Sequence, residues 1–405
     1  MSTEPEVSQQ PSTLFDWIRY ILIAPLAIFL IYWALKPPQV KQGDVTTPDT
    51  EISESADVAL TIVKCDGITM GTVPFCVKIG SPKNLSEQDL ANQEKELQQT
   101  VRSVLDLIDT LMSTYRTDSE VSRFNLSNAT DWFTVSPETA KVVQIALEVS
   151  ELTDGMFDIT VGPLVNRWGF GPEDYSTLPT QEEIDEILQS VGYRHLAVQT
   201  NPPAIRKDVP HLKIDLSGIA KGFAVDQVAD ALEKKGLKNY MIEVGGETRT
   251  AGEKSPGKPW TIGIEIPTPS WLSEPKIHCK VHLGFQSMAT SGDYQNFIDY
   301  KGIRFSHIID PRTGWPVEKS QMDFPDSQLR LGSLSVVDST CTRADALTKG
   351  FYILGVDEGL KLADAHGIAV LFLLREETSQ RGPGPRFTIQ EVKSKAFDKK
   401  VKIVE

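Results

Sequence analysis

The sequence predicts a mixed fold of helices and strands behind one apolar N-terminal helix, on three observations. Ile214 to Glu247 runs as an extended apolar and acidic stretch, a Ser217-Gly218 turn, a helix and a returning strand. Asp57 to Ile79 holds two β-rich runs around Asp66-Gly67, a hairpin turn signal. Further apolar alternations at Trp260–Ile266 and Cys279–Leu283 read as strands, while helical periodicities mark Ser86–Met112 and the segment after Gly218. No internal repeat is visible.

Residues 1–16 are polar and rich in Pro, Ser and Glu, and are expected to be a disordered tail. From Trp17 to Leu35 the chain is apolar apart from Arg19, and Tyr20 to Leu35 carries no charge. That core is shorter than the ~20 residues that cross a bilayer. Adding Trp17 and Ile18, with Arg19 snorkelling to the interface, brings the run into range. Trp17, Tyr20, Tyr32 and Trp33 mark both ends as an aromatic belt would. No small-residue cleavage site follows and no cysteine is placed for lipidation, so residues 17–36 are expected to be an uncleaved signal anchor. Arg19 on one side and Lys36 and Lys41 on the other leave its orientation open. Residues 37–56 form a polar linker, and 57–405 the folded domain.

Within that domain a helix is expected from Ser86 to Met112, with Leu97, Val101, Val104, Leu105, Ile108 and Met112 on its buried face. Asp118 to Asn125 reads as a polar loop. Ser136-Pro137 starts the next helix as N-cap and first helical residue, and Gly155 ends it. The segment from Met156 to Pro172 is dense in aromatics, Gly and Pro, which suits a loop packed on a planar ligand. Thr180 and Glu183 form a capping box. The helix after Gly218 buries Phe223, Val225, Val228 and Leu232 and stops at Gly236, before the strand Tyr240–Val244. Later come a polar insert at Val317–Leu331, a strand at Leu334–Val337, helices at Thr340–Leu354 and Gly359–His366, a strand at Ile368–Leu374, and an edge strand in the Lys-rich tail.

The net charge of −14 and the lack of a basic stripe argue against a nucleic-acid partner. Four cysteines, Cys65, Cys76, Cys279 and Cys341, permit disulfides but match no metal spacing, so they fix no compartment. The turn at Ser217-Gly218 with Lys221 beside it suits an anion, because a helix N-terminus and an ammonium both favour negative charge. Asp215 as a helix cap and Lys221 as a solvated first-turn residue stay open beside that reading.

Several separated motifs together resemble the ApbE family of FAD:protein FMN transferases. They run in family order from Met70 to about Ala365. They are Thr69-Met70-Gly71-Thr72; Met112 to Tyr115 with Ser122 to Asn125; Gly155 to Pro163; Asp215 to Gly222; Val244 to Glu247; Thr290 to Tyr294; Ser306 to Pro311; and Ala344 to Leu347. The resemblance implies a two-part, T-fold-like α+β domain with FAD in the cleft. It implies an enzyme that splits FAD, releases AMP and leaves FMN on a Thr or Ser hydroxyl of an acceptor flavoprotein in a membrane electron-transfer system. Such enzymes face outward from the inner membrane, which puts the catalytic domain on the periplasmic side.

By residue, the resemblance assigns FAD contacts to Met70, Tyr115, Met156, Phe157, Asp158, Asp215 and Lys221. It assigns Mg²⁺ to the Gly218 carbonyl and to Asp345, and the general base to His307. Those types suit the chemistry, since a pyrophosphate under attack gathers negative charge and the attacking hydroxyl must lose a proton. Asp310 is expected to serve a turn. An FAD pyrophosphatase, an inactive FAD-binding protein and a chain that is itself a flavin acceptor stay open as alternatives.

One position departs from the family. Four residues beyond Asp345, where a second oxygen ligand belongs, stands Lys349, with Thr348 one place earlier. Residues four apart share a helix face, so Lys349 is expected to point where Asp345 points. It could turn outward, swing aside while Thr348 or water completes the metal shell, or take over part of the metal's work on the phosphates.

Overall fold

A computed structural model of the chain describes residues 60–405 except 83, 174, 176, 269–275, 293–296, 301–302, 318–328, 378–386 and 405. The expected tail, signal anchor and linker lie outside the described residues, as do Asp293, Tyr294 and most of the polar insert. Among the described residues no helix is long and apolar enough to cross a membrane.

One antiparallel sheet organises the fold. Its strands, labelled in chain order, are β1 (Thr61–Thr69), β2 (Val73–Ser81), β3 (Tyr240–Val244), β4 (Glu247–Ala251), β5 (Ser287–Gly292), β6 (Leu329–Asp338), β7 (Ala369–Glu377) and β8 (Phe387–Lys393). Each pairs with the next, so spatial order follows chain order and every neighbour is antiparallel. Four longer helices matter to the site: α1 (Glu87–Met112), α2 (Pro137–Leu152), α3 (Ala220–Lys234) and α4 (Cys341–His366).

The pleat explains why β7 is a nearly continuous apolar run. Val370, Phe372 and Leu374 enter one core, while Ala369, Leu371 and Leu373 enter a second. The first core lies between the sheet and α1, α3 and α4, with Val101, Leu105, Phe223, Val228, Leu347 and Phe351 buried in it. The second is closed by the strands Thr261–Glu265 and Ile277–His282 and the helix Lys395–Lys400, through Ile264, Val281 and Phe397. A strand buried on both faces loses its polar alternation. A third, smaller cluster joins Leu164, Trp168, Ile184 and Ile309.

Local signals set many boundaries. Ser86 and Asp89 form a capping box at α1, Ser136 caps α2 with Pro137 in its first turn, and Thr180 and Glu183 form the expected box ahead of Gln181–Leu188. The two helices expected at the C-terminal side lie within α4 on either side of a break at Gly355, whose φ is 74°. The tail strand Lys402–Val404 is the edge strand expected, pairing on Ile277–His282.

Four expectations are corrected. Asp66-Gly67 is not the hairpin turn: both lie inside β1, opposite Cys76 and Phe75, and the turn is Met70-Gly71-Thr72. Gly67 instead admits a close neighbour, since a Cβ there would stand 2.4 Å from Arg102 Nη2. Asp118–Asn125 is not all loop, because Glu120–Leu126 is a helix capped by Ser119, with Val121 and Phe124 buried. Ile214–Leu216 is not a strand; its Ile214 N–H and C=O are both bound at 2.8 Å by the Asn125 side-chain amide, which stands in for a neighbouring strand. Met156–Pro172 is not a plain loop, since it contains a 3₁₀ turn (Ile159–Val161) and the short helix Gly162–Arg167.

Candidate active site

The turn between Asp215 and α3 is fixed from several sides. The Asp215 N–H donates to the Ile159 carbonyl at 2.7 Å, and its carboxylate accepts the Ser217 N–H at 2.8 Å. Burial pushes the Asp215 carboxyl above its usual range, with the Ser217 bonds opposing. No side chain caps α3 at Ile219. Its first-turn Gly222 N–H instead donates to Asp345 Oδ2 on α4, at 2.9 Å, so a carboxylate sits at the positive end of α3. Asp226, one turn on, accepts from the Cys341 and Thr342 N–H groups and the Thr342 hydroxyl, and thereby caps α4.

Around Asp345 four charges are packed together. Lys221 Nζ lies 2.7 Å from Glu247 Oε1 and 4.0 Å from Asp345 Oδ1. The Lys349 ammonium donates to the same Asp345 Oδ1 from four residues on. Burial alone would raise the Asp345 carboxyl, but Lys221, Lys349 and the Gly222 N–H hold it below its usual range. Glu247 is 1 % exposed and its Oε2 has no partner. Burial lifts its carboxyl to about 7 although Lys221 pulls it down. For Lys221, burial works to lower the pKa, but the charges of Asp345 and Glu247 outweigh it and hold the ammonium protonated. Thr348 donates to the Asp345 carbonyl at 2.6 Å and shares a 2.8 Å hydrogen bond with Ser291. Gly218 faces this group: a Cβ on it would stand 3.4 Å from the Phe157 ring and 3.8 Å from Lys349 Cγ.

An aromatic wall stands on the other side of the Asp215 turn. Tyr115 is 68 % exposed, with its hydroxyl bonded to the Phe170 carbonyl at 3.2 Å. Phe170 in turn meets the His307 ring edge-on at 6.3 Å. The Tyr115 phenol is raised first by partial burial and then by the nearby Asp215 charge, which ties this wall to the turn. His307 follows the strand Ile303–Ser306. Asp310 serves the turn expected of it, receiving the Arg312 N–H and guanidinium while Gly314 donates to its carbonyl.

The expected flavin-contact residues other than Met70 divide into two groups. Tyr115 and Lys221 reach solvent. Met156, Phe157, Asp158 and Asp215 are buried, and Asp158 is engaged by the Thr160 N–H and hydroxyl and the Tyr193 N–H. Asp158 therefore braces two segments of chain, and Phe157 walls the Gly218 turn. Met70 packs partly buried at the β1–β2 turn with φ 45°, a backbone region uncommon outside glycine and concentrated at functional positions. Glu247, Ser291 and Phe170 received no role from the sequence. A glutamate opening a strand directly after Gly-Gly was the signal for Glu247, since strand positions on a buried face are rarely acidic without a task.

Mg²⁺ can be tested against these groups. Among the described residues no three His, Cys, Asp or Glu side chains gather in one place. Both Asp345 oxygens are engaged, one by Lys349 and one by the Gly222 N–H, and the Thr348 hydroxyl already serves the helix backbone and Ser291. Mg²⁺ requires near-octahedral oxygen ligands. An ammonium supplies none. The residues as arranged do not fit the metal.

Paired ammoniums on buried carboxylates, a helix N-terminus and an exposed aromatic wall are groups suited to a phosphate-bearing ligand with a planar ring, in an α+β enzyme fold. The chain belongs to the ApbE family, whose profile it matches over residues 70–372. It is 40% identical over 316 residues to a FAD:protein FMN transferase of Vibrio cholerae, covering 78% of this chain and 88% of that protein. It is 37% identical over 320 residues to a FAD:protein FMN transferase of Haemophilus influenzae, covering 78% and 87%. The fold resembles the solved flavin transferase ApbE from Vibrio cholerae with a TM-score of 0.69 at 37% identity, covering 84% of this chain and 99% of that one. The α+β architecture expected from sequence is that of these relatives.

Proposed function

We propose that this chain transfers FMN from FAD to a Thr or Ser hydroxyl of an acceptor protein and releases AMP. The observation that carries this is the placement of Tyr115, Asp215, Gly218, Lys221 and Asp345 around one turn, inside a chain that matches the ApbE family across its catalytic length. The acceptor hydroxyl gives its proton to His307, its oxygen bonds to the FMN-side phosphorus, and the bridging P–O bond breaks with its electron pair leaving on AMP. Imidazole suits the proton because its unperturbed pKa lies near working pH. Lys221 and Lys349 face the charge that accumulates on the phosphate oxygens, where preorganised cations lower the barrier most. Tyr115 offers a ring face for the flavin or the adenine.

The proposal extends to location. An apolar run at residues 17–36 supports a single-pass anchor in the inner membrane, with the catalytic part on its periplasmic side beside an acceptor flavoprotein of a membrane electron-transfer system. A chain lacking residues 1–36 is then expected to be soluble and to keep binding FAD. Chromatographic assay of AMP tests the chemistry: AMP appears from FAD only when acceptor is present. Equal AMP release without acceptor would assign hydrolysis instead.

A further inference from the structure

We propose that the Lys349 ammonium occupies the cation position of this site, so that the chain handles the FAD diphosphate with two lysines and without a divalent metal. This rests on the flavin-transfer function above and concerns what neutralises the phosphates there. Lys349 lies four residues beyond Asp345 on α4, which sets both side chains on one helix face. Its ammonium bonds to Asp345 Oδ1, and its stem runs past Gly218, with Cγ and Cε 3.8 and 4.0 Å from where a Gly218 Cβ would stand. The ammonium therefore stands on the carboxylate that faces the turn before α3, where a cation bridging Asp345 and Gly218 would have to be.

The surrounding charges agree. Asp345 and Glu247 contribute two negative charges, and Lys221 and Lys349 two positive ones, at separations of 2.7 and 4.0 Å for the Lys221 pairs. With Glu247 ionised the four charges sum to zero, and both Asp345 oxygens are already engaged. A divalent ion added here would meet two ammoniums and compete for a carboxylate with no oxygen left over. An ammonium differs from Mg²⁺ in carrying three donors of its own, so it binds phosphate oxygens directly and needs no ligand shell. Lys221 and Lys349 then converge on the diphosphate from α3 and α4, each anchored by a buried carboxylate.

The test uses the full chain in detergent, with Mn²⁺ as an electron-paramagnetic probe and FMN transfer as the second readout. The wild-type chain is expected to show no Mn²⁺ site that Asp345→Asn removes, with or without FAD, and to transfer FMN equally in EDTA and in excess Mg²⁺. Lys349→Thr, which exchanges the ammonium for an oxygen, is expected to gain a Mn²⁺ site. It should also lose at least about tenfold in transfer in EDTA, the size of one modest electrostatic contact, with recovery in Mg²⁺. A wild-type Mn²⁺ site abolished by Asp345→Asn, or wild-type transfer that collapses in EDTA and returns with Mg²⁺, would overturn the proposal. Absence of transfer under every condition would count against flavin transfer itself, and the Mn²⁺ titration of the wild-type chain would still decide the occupant of the cation position.

Discussion

Gly222 and Asp345 hold the two site helices together: the Gly222 N–H donates to Asp345 Oδ2 at 2.9 Å, and nothing larger than hydrogen fits on the glycine. A Cβ there would stand 2.3 Å from the Cys341 carbonyl oxygen and 2.7 Å from Asp345 Cβ, both on α4. Gly222→Ala is therefore expected to force α3 and α4 apart, at a cost of about 1–3 kcal/mol for overpacking. Thermal unfolding measures that loss. FAD affinity should fall with it, because Asp345 loses the bond that aims it.

Glu247 gives a pH dependence with a definite sign. Its carboxyl is raised from 4.5 to about 7 by burial, so the folded chain holds a proton there that the unfolded chain releases earlier. Stability from this group is full below about pH 4.5 and is lost as pH rises towards 7. Compared by thermal unfolding across that window, wild type should lose ground to Glu247→Gln as pH increases. A difference between the two that stays flat would show that Glu247 ionises normally.

Lys207 is buried, with its ammonium donating to the Leu212 carbonyl at 2.7 Å and lying 4.7 Å from the Phe124 ring centre. Burial lowers its pKa from 10.5 to about 8. The unfolded chain then binds more protons between those values, and this group's penalty on folding is relieved as pH rises from 8 to 10.5. Lys207→Met should remove that upward contribution, so unfolding temperatures of wild type relative to the variant rise over this interval.

His307→Ala should slow FMN transfer by roughly 10²–10⁴-fold, the usual range for losing a general base. FAD binding, followed by quenching of flavin fluorescence, should change little, since the role proposed for His307 is proton transfer rather than binding. Transfer at the wild-type rate would remove His307 from the chemistry.

What could be read in the sequence was what local chemistry decides. Ser136 and Thr180 cap helices where they were expected, and Ser86 caps the helix expected to begin there, because each cap is made by residues within one turn. Tertiary contacts overrode the rest. Arg102, from α1, lies against Gly67 and keeps an apparent turn signal inside a strand, and Asn125 holds Ile214 extended from 89 residues away. The helix Glu120–Leu126 has only Val121 and Phe124 to bury, too few to show a period. At the site, the shared face of Asp345 and Lys349 was legible from their spacing. The direction of Lys349 was not, because it depends on Gly218, far away in sequence. Glu247 escaped for the same reason: its burial is made by Lys221 and its neighbours rather than by its own strand.

Flavin transfer is tested most directly by the mass of an acceptor protein after incubation with the full-length chain and FAD. The acceptor is expected to gain one FMN on a Thr or Ser, with one AMP released per adduct. Free FMN and AMP accompanied by an acceptor of unchanged mass would contradict it.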